Sequence, residues 1–282
     1  MKDLTIFCSF VCTVFLLGCT SREQQANTTT ASTGTLALYD QLPDGPAGDL
    51  VRKAIAQAGG WETWTSKQAL RYVRTVINYD STGNATDTIK ELHEYNLFPS
   101  FRARISWESK GQKHLILCNS RQAWKLVDGK VKNDLKSRNS AWNLSFGSHY
   151  LIAIPFKLTD KGANLTFEGD TTLEGRRVLG VKVTYDEGAG TSALFHTWRF
   201  YFDAATHEYV ASLLRHDKGY GYNRYYNYTE VEGIRFYQDR RRTNTDDYIL
   251  ENLTLSSDYK LTDFEFLARF PEDHFTPPTK GK

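Results

Sequence analysis

Methionine occurs once in 282 residues and cysteine four times. Cys118 is the one cysteine beyond residue 19, which excludes a disulfide framework for the body of the chain. It follows His114-Leu115-Ile116-Leu117 and reads as a packed strand cysteine, not as a nucleophile. Charge of one sign is also lacking. Lysine plus arginine number 35 and aspartate plus glutamate 33, a formal net charge of +2, so there is no global basic field to attract nucleic acid. The apolar run Leu4–Leu17 falls short of the ~20 residues that a membrane-spanning helix needs. Downstream of it there is no G-x-S-x-G, no H-E-x-x-H, no phosphate-binding loop and no C-x-x-C, so no sequence signature of a reaction is present.

Aromatic rings are what the chain has in quantity: 16 Tyr, 16 Phe and 6 Trp. A ring-rich, methionine-poor composition suits pleated surfaces, where rings pack across strands. The stretch from Thr197 to Phe236 displays the pattern. Trp198, Phe200 and Phe202 alternate with Arg199, Tyr201 and Asp203, which puts the three rings on one face of a strand. Asp203–Glu208 turns the chain, Tyr209–His216 returns, and Glu232-Gly233 separates two further runs. Similar alternation covers Leu70–Tyr79, Thr86–Asn96, Phe101–Glu108, Gln112–Cys118, Gln122–Val127, Leu165–Glu168 and Val178–Tyr185, with Asp128-Gly129 as a hairpin turn. Arg240–Thr245, Leu253–Ser256 and Phe264–Phe270 complete an antiparallel meander.

Helical spacing occurs twice, once ahead of the meander and once as its single interruption. Leu50, Val51, Ala54, Ile55 and Ala58 form an apolar stripe stopped by Gly59-Gly60, with a short turn over Trp61–Lys67 after it. Between Ser137 and Lys157, Trp142, Phe146, Tyr150 and Ala153 recur at helical intervals; Gly147 weakens the helix and Pro155 ends it.

Ahead of the meander lies a leader. Lys2, the apolar run and Leu16-Leu17-Gly18-Cys19 have the layout of a secretory signal. The last four residues resemble the lipobox of bacterial lipoproteins. In that motif the chain is cut before the cysteine, which then carries acyl chains. The expected organisation is a signal peptide over 1–18, the lipidated cysteine and a flexible tether over 19–46, and one β domain over 47–282. Thr20, where an aspartate would retain the protein at the inner membrane by enterobacterial rules, favours the outer membrane. The domain would then face the periplasm or the cell surface.

This order of leader, tether, helix ending in Gly-Gly, long strands, one helical interruption and more strands resembles the superfamily of the lipoprotein carrier LolA and the receptor LolB. Within that superfamily it resembles a family of uncharacterised bacterial lipoproteins. The carrying segments are Gly59-Gly60-Trp61-Glu62-Thr63-Trp64, Phe202-Asp203-Ala204-Ala205-Thr206 and Tyr228–Phe236. The resemblance implies a mainly β fold. Its sheet would be strongly curved and antiparallel, an unclosed β-barrel covered by two or three short helices, with a concave apolar face that binds acyl chains. No individual functional residue carries over.

The functional expectation is a lipid-anchored envelope protein that holds an acyl chain, lipid or lipoprotein in this concavity. The expected contacts are Trp142, Phe146 and Tyr150 from the helix and Trp198, Phe200 and Phe202 from the sheet. Periodicity leaves open which sheet face is concave. No catalytic residue, cofactor, metal or nucleic-acid partner is expected, and the expected assembly is a monomer. His196, His207 and His216 are spread over one meander rather than gathered. Glu230 and Glu232 read as solvated carboxylates beside a turn. Arg240-Arg241-Arg242 reads first as a solvated edge strand blunted by charge, and second as a contact for anionic headgroups. Two alternatives stand beside the binding module: an envelope hydrolase acting on glycans or esters, and a structural envelope lipoprotein without a ligand. The anchor can be tested directly. Cys19→Ser is expected to leave the protein without a lipid-sized mass increment and released from membranes; a variant that stays lipidated and membrane-bound refutes the lipobox.

Overall fold

The computed structural model describes residues 38–187, 197–216, 219–245, 250 and 252–278. Cys19, the leader and most of the tether lie outside the described residues, as does His196. The described chain opens with helices α1 (Pro46–Gln57) and α2 (Trp61–Ser66). Six strands follow: β1 (Ala69–Tyr79), β2 (Ala85–Asn96), β3 (Arg102–Ser109), β4 (Gln112–Cys118), β5 (Ala123–Val127) and β6 (Lys130–Lys132). Helix α3 (Leu135–Ile152) then leads to β7 (Ala163–Leu173), β8 (Arg176–Tyr185), β9 (Thr197–Asp203), β10 (Tyr209–His216), β11 (Gly219–Val231), β12 (Ile234–Thr245) and β13 (Thr254–Leu267).

All thirteen strands belong to one antiparallel sheet, in the order β6-β5-β4-β3-β2-β1-β13-β12-β11-β10-β9-β8-β7. Strands β1 to β6 walk outward from the centre to one edge. Strands β7 to β13 start at the other edge and walk back, so that the last strand pairs with the first. The sheet is curved but unclosed, with β6 and β7 as its two ends. Laid flat at ~4.8 Å per strand, its edges would lie ~58 Å apart, about twice the ~27 Å of an 18-residue helix. Curvature brings the two edges within reach of the single segment, α3 and its flanks, that connects them.

The alternation in sequence becomes two faces. On the inner one Leu70 and Tyr72 of β1 are buried with Tyr95 of β2, Ile105 of β3 and Ile116 of β4. Val181 and Val183 of β8 and Trp198, Phe200 and Phe202 of β9 belong to the same cluster, so these three rings of β9 point inward. A smaller outer cluster gathers Val178, Tyr201, Leu213 and Tyr222.

Two elements depart from the sequence pattern. Helix α3 starts at Leu135, before the aromatic stripe, because the Asp134 side chain accepts a hydrogen bond from the Ser137 amide at 2.8 Å and caps the first turn. The runs Leu253–Ser256 and Phe264–Phe270 are not separate: Thr254–Leu267 is one long strand, β13. A register irregularity of its pairing with β1, between Arg71 and Val73, and the left-handed Asp263 (φ 57°) shift its inward face part-way along, which breaks the alternation.

Helix α1 is fastened by its C-terminal glycines. Arg235 N–H donates to the Ala58 carbonyl at 3.0 Å. Gly59 sits at φ +115°, and a Cβ there would come 1.9 Å from the Gly233 carbonyl oxygen in the β11–β12 turn. Gly59→Ala therefore combines a left-handed backbone with a clash against main chain. The expected loss is about 3 kcal/mol, read as a lower urea midpoint at unchanged slope; an unshifted midpoint would show that α1 does not lock onto this hairpin.

Candidate functional site

Helix α3 meets the sheet through small side chains. Ala141, Ser145 and Ser148 are buried at helical intervals and let the helix lie close over β3, β4 and β5. The larger residues flank that line. Trp142 and Phe146 are half-buried to one side, their rings 4.5 Å apart, with Phe146 4.7 Å from Phe101. Tyr150 leans the other way, 5.6 Å from Trp198 and 6.1 Å from Phe200, and its hydroxyl shares a 2.7 Å hydrogen bond with Tyr185.

Between α3 and the central strands lies a cavity of about 390 Å³, within the range of small-molecule sites. Leu144, Leu151, Tyr150, Trp198 and Leu214 form an apolar wall. The rest of the lining is polar: Arg74 from β1, Asn223 from β11, Arg240 and Arg242 from β12, and Tyr259 from β13. Register explains this division. Val76, Tyr259, Arg240 and Tyr225 stand side by side on adjacent strands, while the next row runs Asn78, Ser257, Arg242, Asn223, Ser212 and Phe200. The inner face thus changes from polar to aromatic along a single line across the sheet.

Three guanidinium groups border the cavity and one is neutralised. Arg74 donates to Glu91 at 2.6 Å and to the Ser148 hydroxyl at 2.9 Å. The same carboxylate receives His93 Nε2–H at 2.9 Å, and Tyr95 OH lies 2.7 Å from His93 Nδ1. Burial alone would raise the Glu91 pKa, but the Arg74 charge and the His93 hydrogen bond hold it at about 2. Burial, with Arg74 adding to it, depresses His93 to about 4 against the pull of Glu91, so its ring is neutral near pH 7. Arg240 and Arg242 have no such partner: among the described residues no carboxylate pairs with either. Arg240, 6 % exposed, lies 3.6 Å over the Tyr259 ring. Burial would raise the Tyr259 phenol, yet Arg240, Arg74 and Arg242 together hold it below its ordinary value.

The six ring residues of the sequence pattern therefore do not form one group. Tyr150 and Trp198 line the cavity. Phe200 and Phe202, at 0 % exposure, are closed in by protein, while Phe146 packs on Phe101 with Trp142 beside it. The arginine run departs from its first reading. β12 is an interior strand between β11 and β13; Arg240 and Arg242 point inward, and only Arg241 faces out, paired with Asp258 at 2.9 Å. Alternation put Arg240 and Arg242 on one face of their strand, and only the strand order shows that this face is the inner one. As for nucleophiles, Ser148 Oγ accepts from a guanidinium, which cannot take its proton.

A family model described as "Family of unknown function (DUF6503)" matches residues 109–275, more than half of the chain, and the chain belongs to that family. No curated protein matches. Among solved structures the fold is similar to a DUF1329 family protein from Desulfovibrio piger, with a TM-score of 0.54 at 10% identity over 83% of this chain and 98% of that one. It is also similar to a putative outer membrane lipoprotein-sorting protein domain from Vibrio parahaemolyticus, at 0.52 and 11% over 81% and 95%. A LolA superfamily protein from Nitrosomonas europaea gives 0.50 and 8% over 82% and 98%. The fold is LolA-like, and identities this low carry the fold alone.

The buried histidines make the interior acid-sensitive. His93 is held at about 4, and burial, then Lys157, holds His149 well below its ordinary 6.5. Both rings are neutral in the native protein, whereas the unfolded chain takes up their protons as pH falls through 6.5. The unfolded state then binds more protons, so stability decreases on acidification, by up to about 1.4 kcal/mol per pH unit per group. For His93 the loss continues to about pH 4, and Glu91 adds its own between 4.5 and about 2. The urea midpoint is expected to be lower at pH 5 than at pH 7.5. His149→Phe should shrink that difference, because the ring packs among Trp64, Tyr95 and Phe101 and its Nε2 has no partner. A midpoint that does not change with pH would contradict this account.

Proposed function

We propose that this DUF6503-family protein is a cell-envelope binding protein. Anchored by lipid on Cys19, it holds the apolar chain of a lipid or lipoprotein between α3 and the sheet. One observation carries the reading: the cavity beneath α3, walled by Leu144, Leu151, Leu214, Tyr150 and Trp198, is left unfilled by the protein's own side chains. Of the rings expected from sequence, Tyr150 and Trp198 would touch the ligand directly. Phe200 and Phe202 would back them, and Trp142 and Phe146 would steady the far flank of α3. The lipoprotein-sorting and LolA names borne by two proteins of similar fold are in keeping with this reading. They also favour an envelope location, with the outer membrane as the anchoring membrane. Binding is preferred over hydrolysis because the serine at the cavity is engaged by Arg74 rather than by a base.

Titration of the delipidated protein with hexadecanol, followed by intrinsic fluorescence, tests it. Saturable binding is expected, with the signal reduced in Trp198→Phe. Leu151→Asp, which places a carboxylate in the apolar wall, should weaken binding ~10-fold or more while leaving the far-ultraviolet circular dichroism unchanged. No saturable binding of any long-chain probe would overturn the reading in favour of a structural lipoprotein.

A further inference from the structure

The cavity is apolar on one side only, and its polar side is short of acceptors. Trp198 Nε1, Arg240 Nε and Arg242 Nε are all buried N–H donors without a hydrogen-bond partner, and all three residues line the same space. Buried donors normally find acceptors, and several orphans around one cavity mark a place where something else supplies them. Two of these donors belong to full positive charges. A buried guanidinium without a counter-ion is costly, and the ring of Tyr259 beneath Arg240 offsets only part of that cost. Among the described residues the nearby carboxylate is Glu91, and it is already engaged by Arg74 and His93. The Arg242 guanidinium lies over Gly221, where no side chain stands between it and the cavity.

From this the geometry points to an amphiphile with an anionic head as the ligand. Its carboxylate or phosphate would be held by Arg240 and Arg242, with its chain running along Trp198, Leu214 and Leu151. The inference rests on the cavity reading above and adds the chemistry of the head. Planar guanidinium forks match both carboxylate and phosphate, and the hydrogen bonds are charge-assisted. The row across the sheet that changes from Arg242 and Asn223 to Phe200 gives such a molecule its direction: head toward β12 and β13, tail toward β9.

The test compares probes that differ only in the head, using the purified, delipidated protein. Palmitate and hexadecyl phosphate are expected to bind at least ~10-fold more tightly than hexadecanol, and acetate and inorganic phosphate ~100-fold or more weakly than palmitate. In Arg240→Gln and Arg242→Gln the preference of palmitate over hexadecanol should fall toward one, because the affinity for palmitate drops far more than that for hexadecanol. Arg242 is half-buried, so its variant serves if Arg240→Gln does not fold; the probe comparison in the parent needs no variant. Equal affinity for palmitate and hexadecanol overturns the anionic head and leaves the cavity reading standing. Acetate or phosphate binding as tightly as palmitate overturns the amphiphile in favour of a small-anion site. If neither long-chain probe binds, the cavity reading fails and this inference falls with it.

Discussion

A chain that builds one half of a sheet outward from its centre has to travel to the opposite edge before it can build the other half. In this protein that journey is made by α3, and the rest of the interior is arranged around it. The helix can cross only along the face that needs covering, so the connection and the covering are the same element. It approaches closely because its contact line is Ala141, Ser145 and Ser148 rather than its rings. Close approach at β3 to β5 leaves the other side of the helix standing off from the central strands. The space beneath Leu144 and Leu151 follows from that offset.

The same crossing places polar chemistry in an interior that could have been entirely apolar. Arg74 reaches up to Ser148 and down to Glu91, which ties the helix to the sheet through a buried charge pair. Pairs of this kind add little net stability compared with apolar packing, but removing one partner is severe, because the other is left charged and buried. They fix which part of α3 sits over which strand. Arg240 and Arg242 lie on neighbouring rows without such closure, and that difference separates a structural arginine from one with capacity to spare.

Much of the architecture was legible in the chain. Period-two alternation located the strands, Asp128-Gly129 and Glu232-Gly233 their turns, and Gly59-Gly60 the end of α1. The curved, unclosed, LolA-like sheet came from the resemblance and is the fold observed. The pairing of β1 with β13 was not legible, because nothing local in either strand names a partner at the far end of the chain. Half of the site was likewise hidden. Alternation separates two faces without saying which is covered, so the rings of Trp198, Phe200 and Phe202 were in view but their direction was not. The arginines were in view too. A run of three charges reads as surface when strands are judged one at a time, and only the strand order places Arg240 in the middle of the sheet.

The β1–β13 pairing has a consequence in time. Ala69 pairs with Leu267, so the central seam of the sheet joins residues from opposite ends of the folding unit. Contacts at such sequence separation close late, because the chain between them must be ordered first. A chain emerging from the ribosome, amino end first, presents β1 long before β13 exists. Throughout that interval β1 has β2 on one side and, on the other, a ladder edge flanked by Leu70 and Tyr72 with no strand beside it. Such an edge is open to pairing with another copy, so the nascent protein is most vulnerable to aggregation before its last strand arrives.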